Sequence, residues 1–162
     1  MDTRDNRLSR RVILQGAGAI ALVGLGNLSF GVATAFAAAN DKYPDEAFKA
    51  KSEADAIKVL YGKTAEASDK IKLDAPEIAE NGAVVPVSVS TTLANVTSIS
   101  FLVSENPVVL IASYKIPAGT VPSVANRIKM AKTSNVTVVV EAGGKVYSAA
   151  KEVKVTVGGC GG

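Results

Sequence analysis

The chain has 162 residues, of which 48% are hydrophobic, 5% are aromatic and 20% are charged, and its formal net charge is +3. It contains no His, no Trp and one Cys, which excludes Ser-His-Asp and Cys-His catalysis, imidazole metal ligands, an internal disulfide and a four-thiolate zinc site. The small net charge and the few aromatic residues also argue against nucleic-acid binding, which needs a concentrated basic face or a series of stacking platforms.

The first 37 residues have the order of an export signal. Four arginines precede an apolar run over residues 16–39, and residues 9–14 (Ser-Arg-Arg-Val-Ile-Leu) resemble the twin-arginine export signal. We therefore expect a cleaved signal peptide over residues 1–37, with cleavage after Ala37 or Ala39 left open, and a periplasmic protein that has no membrane segment after cleavage. A retained N-terminal anchor is the alternative, since the run is long enough to span a bilayer.

Residues 41–62 have a helical pattern. Asp41 is a candidate cap, Pro44 suits the first turn and Gly62 suits the end of a helix. The apolar residues fall on or near one side: Phe48, Ile57, Leu60 and Tyr61. We predict an amphipathic helix that docks on the body of the domain, and the alternative is a docking face for a partner.

From about Ile71 onward, the period of the apolar residues changes to two. Apolar side chains recur at every second position, except at Asn126, in five runs, at residues 85–89, 99–103, 124–130, 136–140 and 153–157, and most of the residues between them are polar. Such alternation predicts strands with one face in the core and the other, which includes Ser88 and Ser100, in water. Pro86 predicts that its strand lies at a sheet edge or carries a bulge.

Turn signals separate these runs at regular intervals: Asn81-Gly82, Asn106-Pro107, Pro117-Ala118-Gly119 and Gly143-Gly144. Seven or eight short strands with no helical pattern between them predict an all-β fold, an antiparallel β-sandwich preceded by the N-terminal amphipathic helix. We assign residues 38–157 to this one domain.

Residues 158–162 read Gly-Gly-Cys-Gly-Gly. Glycines have no side chain to pack and have the largest backbone entropy to lose, so we expect a mobile, exposed arm that carries one thiol. Its Cys lies at most about 10 Å beyond the last strand, and the arm is thin enough to enter a narrow channel. With a pKa near the ordinary value of about 8.5, only a few per cent of the thiol is ionised at pH 7, which suits a covalent handle better than an activated nucleophile.

The Gly-Gly-Cys-Gly-Gly segment, behind a twin-arginine-like leader, resembles the SoxY family of sulfur carriers in the bacterial thiosulfate-oxidising (Sox) system. Residues 73–82, 85–87 and 124–131 also look like segments of this family, with Asn126 where Ser or Thr is expected. The resemblance implies an immunoglobulin-like sandwich that pairs with a second small β-sandwich subunit of the SoxZ type. It also implies a carrier subunit that is not an enzyme and has no metal or cofactor of its own.

The resemblance further implies a sequence of reactions on the thiol. A c-type-haem enzyme attaches thiosulfate as a cysteine S-thiosulfonate, a sulfate-releasing hydrolase leaves a persulfide, and in some organisms a sulfur dehydrogenase oxidises the remaining sulfur. Carried onto this chain, Cys160 is the covalent attachment site, and the carrier arm consists of Gly158, Gly159, Gly161 and Gly162.

Three alternatives for the tail stay open at this point. It could be a frayed terminus with an incidental Cys. The domain could instead be a structural β-sandwich module that dimerises through its lone Cys. It could also be a carrier of the Gly-Gly thiocarboxylate type, to which Gly161-Gly162 has a superficial likeness.

Overall fold

The computed structural model describes residues 44–159, so the predicted signal peptide, Asp41 and residues 160–162 lie outside the described residues. Within residues 44–159, two helices precede nine strands. Their bounds are α1 Asp45–Lys49, α2 Glu53–Tyr61, β1 Glu66–Ala67, β2 Ile71–Asp74, β3 Ile78–Asn81, β4 Val85–Thr91, β5 Val96–Val103, β6 Leu110–Lys115, β7 Ser123–Ile128, β8 Ser134–Ala142 and β9 Lys145–Val157. Neither helix within residues 44–159 has the length and apolar character needed to cross a membrane.

The strands form two sheets. The larger sheet has the order β1-β9-β8-β5-β6, with β3 paired to the later part of β9, and the smaller sheet has the order β2-β4-β7. All pairs are antiparallel except β1 and β3, which run parallel to β9. The two sheets enclose one apolar cluster, so the predicted immunoglobulin-like β-sandwich with a preceding helical segment is confirmed.

The core between the sheets consists of the residues that the alternation selects. Nine of them are buried and belong to one cluster: Val85, Val87 and Val89 of β4, Ile99, Phe101 and Val103 of β5, and Val136, Val138 and Val140 of β8. The ring of Phe101 meets that of Tyr114 edge-on, with ring centroids 6.2 Å apart. Because burying each such side chain contributes roughly 1.5–3 kcal/mol, this face dominates the stability of the sandwich.

The opposite face of β5 and β8 is also buried. Leu102 and Val139 pack in a second cluster with Ile57 of α2, and Ser100 and Thr137 are buried beside them. The prediction that the polar face of these strands lies in water is therefore wrong for Ser100, because the helices cover it. The predicted docking of an amphipathic helical segment on the domain is confirmed by the same contacts.

The helical segment is divided in two, whereas a single helix over residues 41–62 was expected. Ala50 is extended, with ψ 141°, and Ser52 begins α2 by accepting a hydrogen bond from the Asp55 amide over 3.1 Å. A Ser side chain that bonds a nearby amide favours a helix start over a helix interior, which explains the interruption. α2 ends at Gly62, with φ +66°, as predicted.

Polar side chains at both ends of α2 fasten it to the larger sheet. At its start, the Glu53 carboxylate accepts hydrogen bonds from Ser104 Oγ (2.7 Å) and Thr137 Oγ1 (3.1 Å). At its end, the Tyr61 hydroxyl lies 2.7 Å from Ser100 Oγ. These bonds satisfy polar groups that would otherwise be buried without partners.

The strand that contains Pro86 is the central one of the smaller sheet, contrary to the expectation of an edge strand. Pairing of β4 with β2 stops at Ser88, opposite Asp74, while Pro86 pairs with Arg127 of β7. Pro86 therefore has a neighbouring strand on one side only. A residue without an amide hydrogen is tolerated where the second partner strand has ended.

The predicted turns lie between the strands. Asn81-Gly82 connects β3 to β4, Asn106-Pro107 lies between β5 and β6, and Gly143-Gly144 is the two-residue turn of the β8–β9 hairpin. Both of the last two glycines have positive φ, +56° and +75°. This conformation matches the twist of a hairpin and is one that glycine adopts without strain.

Candidate functional site

Strand β9 carries the chain to the glycine-rich tail. Its 13 residues pair with β8 as far as Val153, opposite Ser134, and beyond that point with β3, from Lys154 to Val157. Two further bonds hold this last part: the Lys154 amide donates to Glu77 O, and Thr156 Oγ1 donates to Glu80 O, both over 2.9 Å. The tail thus leaves the domain from a strand that is paired to its final residue.

The first two tail residues continue to contact the domain through the backbone. Gly82 donates its amide to Val157 O (2.8 Å) and accepts from the Met130 amide at its own carbonyl (2.7 Å). Met130 O in turn accepts from the Gly159 amide over 3.0 Å. Three segments of the chain are therefore joined at this point: the turn after β3, the residues after β7 and the end of β9.

These segments approach so closely that no side chain fits between them. A Cβ atom added at Gly158 would lie 2.3 Å from Ala131 O, and one added at Gly159 would lie 2.4 Å from the Ala83 nitrogen. A Cβ at Gly82 would lie 2.3 Å from Met130 O and 2.7 Å from the Gly159 nitrogen. The three glycines are therefore required by space at the backbone contact.

The structure and the sequence prediction differ at the start of the tail. Gly158 is exposed, as expected for the arm, but Gly159 is buried. Burial follows from its hydrogen bond to Met130 and its contact with Ala83. The remaining predicted site residues, Cys160, Gly161 and Gly162, lie outside the described residues.

Sequence reasoning missed Gly82 and Met130 as parts of this site. The sequence predicts Gly82 as a turn residue and Met130 as an apolar residue of the β7 run, and both lie in segments that look like the family, but neither is predicted to contact the tail. The Asn81-Gly82 pair did contain a signal, since a glycine also marks a close backbone approach. Nothing in the sequence indicates which segment approaches this glycine.

An open cavity of about 590 Å³ lies on the smaller sheet, lined in part by Asp74, Pro86 and Arg127, and neither Gly158 nor Gly159 is among its lining residues. Near the tail, Lys132 pairs with Glu105 at 2.7 Å on the surface. Within residues 44–159, no group of three or more acidic, Cys or His side chains could hold a metal ion.

Comparison with known proteins identifies the family. Residues 57–160, more than half of the chain and including Cys160, match the family model described as sulfur oxidation protein SoxY. The chain belongs to the SoxY family. The solved structure of the sulfur carrier protein SoxY from Chlorobium limicola f thiosulfatophilum is 46% identical, with a TM-score of 0.59, over 64% of this chain and 94% of that chain.

A more distant likeness exists to superoxide reductase (neelaredoxin) from Ignicoccus hospitalis. It is 21% identical, with a TM-score of 0.47, over 53% of this chain and 80% of that chain, and at this level it supports no functional argument. No curated protein sequence matches the chain. Membership of the SoxY family, a family of sulfur carriers, confirms the resemblance seen in the sequence.

Proposed function

We propose that this protein is a periplasmic carrier that holds thiosulfate-derived sulfur covalently on Cys160 and presents it to the enzymes of thiosulfate oxidation. The observation that carries the proposal is the SoxY family match, which extends to residue 160 and so includes the only Cys of the chain. Supporting it, β9 is paired as far as Val157 and Gly159 is hydrogen-bonded to the domain. The thiol-bearing residue therefore directly follows an ordered segment.

The loading step is an oxidation, and its oxidant belongs to a partner. The outer sulfur of thiosulfate forms a bond to Cys160 Sγ, the thiol proton leaves, and two electrons leave one at a time through the c-type haem of the attaching enzyme to its electron acceptor. Thiolate is the reacting form, and the partner enzyme supplies the activation. The contribution of this chain is the sulfur atom and its position.

The unloading step is a hydrolysis. Water attacks the terminal sulfone sulfur of the S-thiosulfonate, the bond between the two outer sulfur atoms breaks, and sulfate leaves with the water oxygen. The electron pair of the broken bond stays on the sulfur atom that is bonded to Cys160 Sγ, so Cys160 is left as a persulfide. A sulfur dehydrogenase that oxidises this persulfide is a third proposed partner, and a SoxZ-type small β-sandwich is the proposed stable subunit partner.

Mass spectrometry of the protein from thiosulfate-oxidising cells tests the proposal. We expect adducts of one thiosulfate group and of one sulfur atom on Cys160, and none in Cys160→Ser. A matched control keeps one thiol but moves it: Ser123→Cys in the Cys160→Ser background places it on β7, where Ser123 is exposed. Unmodified Cys160 in wild-type protein, or equal adducts at position 123, would contradict the proposal. A reducible dimer of the wild-type protein, together with undiminished thiosulfate oxidation by Cys160→Ser, would favour the structural module.

The periplasmic location has its own test. Replacement of Arg10 and Arg11 by Lys retains the charge and removes the paired guanidinium groups of the twin-arginine-like segment. We expect the wild-type protein in the periplasmic fraction and the double variant in the cytoplasm. Equal periplasmic amounts of both would contradict export by the twin-arginine route.

A further inference from the structure

We propose that the Gly-Gly-Cys-Gly-Gly segment has two parts with different tasks. Gly158 and Gly159 form a fixed base, held by an anchor site that consists of Gly82, Ala83, Met130 and Ala131. The thiol of the next residue is thereby positioned at a set point of the domain edge instead of in the middle of a five-residue free arm. The inference rests on the proposed function for its purpose, but the positioning can be measured without any sulfur chemistry.

The anchor site is rigid because of where its residues lie. Gly82 directly follows β3 and Met130 lies two residues after the end of β7, so the ends of two strands determine their positions. The Met130 amide bonds Gly82 O and the Gly159 amide bonds Met130 O, which links the two strand ends to each other and to the tail. Main-chain groups make these contacts, so the site does not depend on flexible side chains.

The steric requirement at Gly158 and Gly159 differs from the requirement of a free arm. A free arm needs glycine for freedom of rotation, and in that case a methyl group costs little. At Gly158 and Gly159, a Cβ would approach backbone atoms to 2.3 Å and 2.4 Å, distances that no relaxed structure contains. The glycines at these positions therefore fit a surface, and only the residues that follow are available for entry into a channel.

The anchor site shortens the reach of the thiol. If the chain were free from Val157 onward, the Cα of Cys160 could lie up to about 10 Å from the strand end. Because the chain is fixed at Gly159, the Cα of Cys160 can move only within one Cα–Cα distance, about 3.8 Å, of Gly159. An enzyme that acts on Cys160 must then come up to the domain edge itself. Its contact surface would include the turn at residues 81–84 and the residues that follow β7.

Fixing the base also lowers the entropy that is lost when an enzyme binds the tail. Glycine loses more backbone freedom on ordering than any other residue. Because Gly158 and Gly159 are already ordered in the carrier, their backbone entropy is not lost again in the complex. Preorganisation of this kind improves binding without additional contacts.

Amide hydrogen exchange in the full-length protein tests the positioning directly. We expect the Gly159 amide to exchange slower than its intrinsic rate by a factor of about ten or more, since it must break its bond to Met130 to exchange. The amide of Gly161 should exchange near its intrinsic rate. Equal exchange of Gly159 and Gly161 at intrinsic rates would overturn the proposal.

Glycine-to-alanine substitutions provide the second test. In Gly82→Ala we expect the Gly159 amide to lose its protection, and a nitroxide label on Cys160 to become more mobile, while the β8–β9 amides remain protected. Gly143→Ala is the control for a glycine replacement away from the anchor site: a Cβ there meets nothing within 4 Å, and its positive φ strains only the β8–β9 turn. It should leave the Gly159 protection and the label mobility unchanged. If Gly82→Ala does not fold, Gly159→Ala replaces it, since that residue follows the last strand. An unchanged label in these variants would overturn the proposal.

A functional measurement separates positioning from general damage. We expect the carrier concentration for half-maximal thiosulfate oxidation to be severalfold higher for Gly82→Ala than for the wild type. The maximal rate should change little, because preorganisation acts on binding. Equal potency of wild-type and Gly82→Ala carriers would refute the positioning role while adducts on Cys160 still support the carrier function. Absence of adducts on Cys160 would refute the carrier function, and amide exchange would still decide whether Gly159 is anchored.

Discussion

The hydroxyl oxygen of Tyr61 lies 2.7 Å from the hydroxyl oxygen of Ser100, joining the last turn of α2 to β5. Ser100 Oγ in turn donates to Ser113 Oγ on β6 over 2.9 Å. The three hydroxyl groups form a chain between the helix and two strands of the larger sheet. The covering helix is therefore held by directional bonds as well as by apolar contact.

Removal of the Tyr61 hydroxyl should destabilise the fold. We expect Tyr61→Phe to lower the free energy of unfolding by about 1 kcal/mol, the usual net contribution of one such hydrogen bond. Urea denaturation measures the change. Tyr147→Phe is the control, since the Tyr147 hydroxyl makes no hydrogen bond within residues 44–159. Identical urea midpoints for Tyr61→Phe and the wild type would contradict the prediction.

The same residue predicts a pH dependence of stability. Burial raises the pKa of Tyr61 above its ordinary value of 10.0, and the hydrogen bonds with Ser100 and Ser98 oppose this shift. The folded state thus holds the phenolic proton more tightly than the unfolded state. The resulting stability is fully present below about pH 10 and is lost as the pH rises through the pKa of the folded protein. Above pH 10, the free energy of unfolding should fall more steeply in the wild type than in Tyr61→Phe. Parallel curves would show that Tyr61 is not responsible.

At the start of α2, the charge of Glu53 is predicted to contribute to the free energy of unfolding. Glu53→Gln keeps the shape but weakens the bonds from Ser104 and Thr137, because hydrogen bonds to a carboxylate are roughly twice as strong as neutral ones. We expect a loss of about 1 kcal/mol in the free energy of unfolding at neutral pH. Glu152→Gln, at an exposed position of β9, is the comparison and should change stability by less than about 0.5 kcal/mol. Equal effects of both substitutions would argue against a specific role for Glu53.

The backbone conformation of the β8–β9 turn determines which residues can replace its glycines. Gly143 has φ +56°, a conformation that Asn tolerates and that β-branched residues do not. Gly143→Asn should stay within about 0.5 kcal/mol of the wild type, and Gly143→Val should lose about 1–3 kcal/mol. Thermal unfolding of the two variants checks the difference. A Gly143→Val protein as stable as Gly143→Asn would mean that the turn has rearranged.

The sandwich core could be predicted from the sequence because its signal is local. Val85, Val87 and Val89 recur at every second position, and all three are buried. The core-facing residues of β5 and β8 have the same period and are buried as well. Turn residues such as Gly143-Gly144 act over two positions, so their effect can also be deduced without knowledge of the rest of the chain. These features were sufficient to predict the fold class.

The remaining features depend on contacts between distant segments. Ser100 has the polarity of a surface residue and is buried only because α2 covers it. Gly159 is buried because the residues after β3 and β7 meet it. In the sequence, a glycine that fits against another backbone has the same appearance as one that provides freedom. The division of the tail into a fixed and a presented part could therefore not be deduced before the structure was known.

The continuity of β9 has a mechanical consequence. Departure of an enzyme that is bound to Cys160 would put tension on the strand along its own axis. The antiparallel hydrogen bonds between β8 and β9, which extend from Lys145 to Val153, are perpendicular to this axis. A load along the strand therefore shears all of these bonds at the same time instead of breaking them one after another. The last strand therefore resists being pulled out of the sheet at the end where an enzyme would pull.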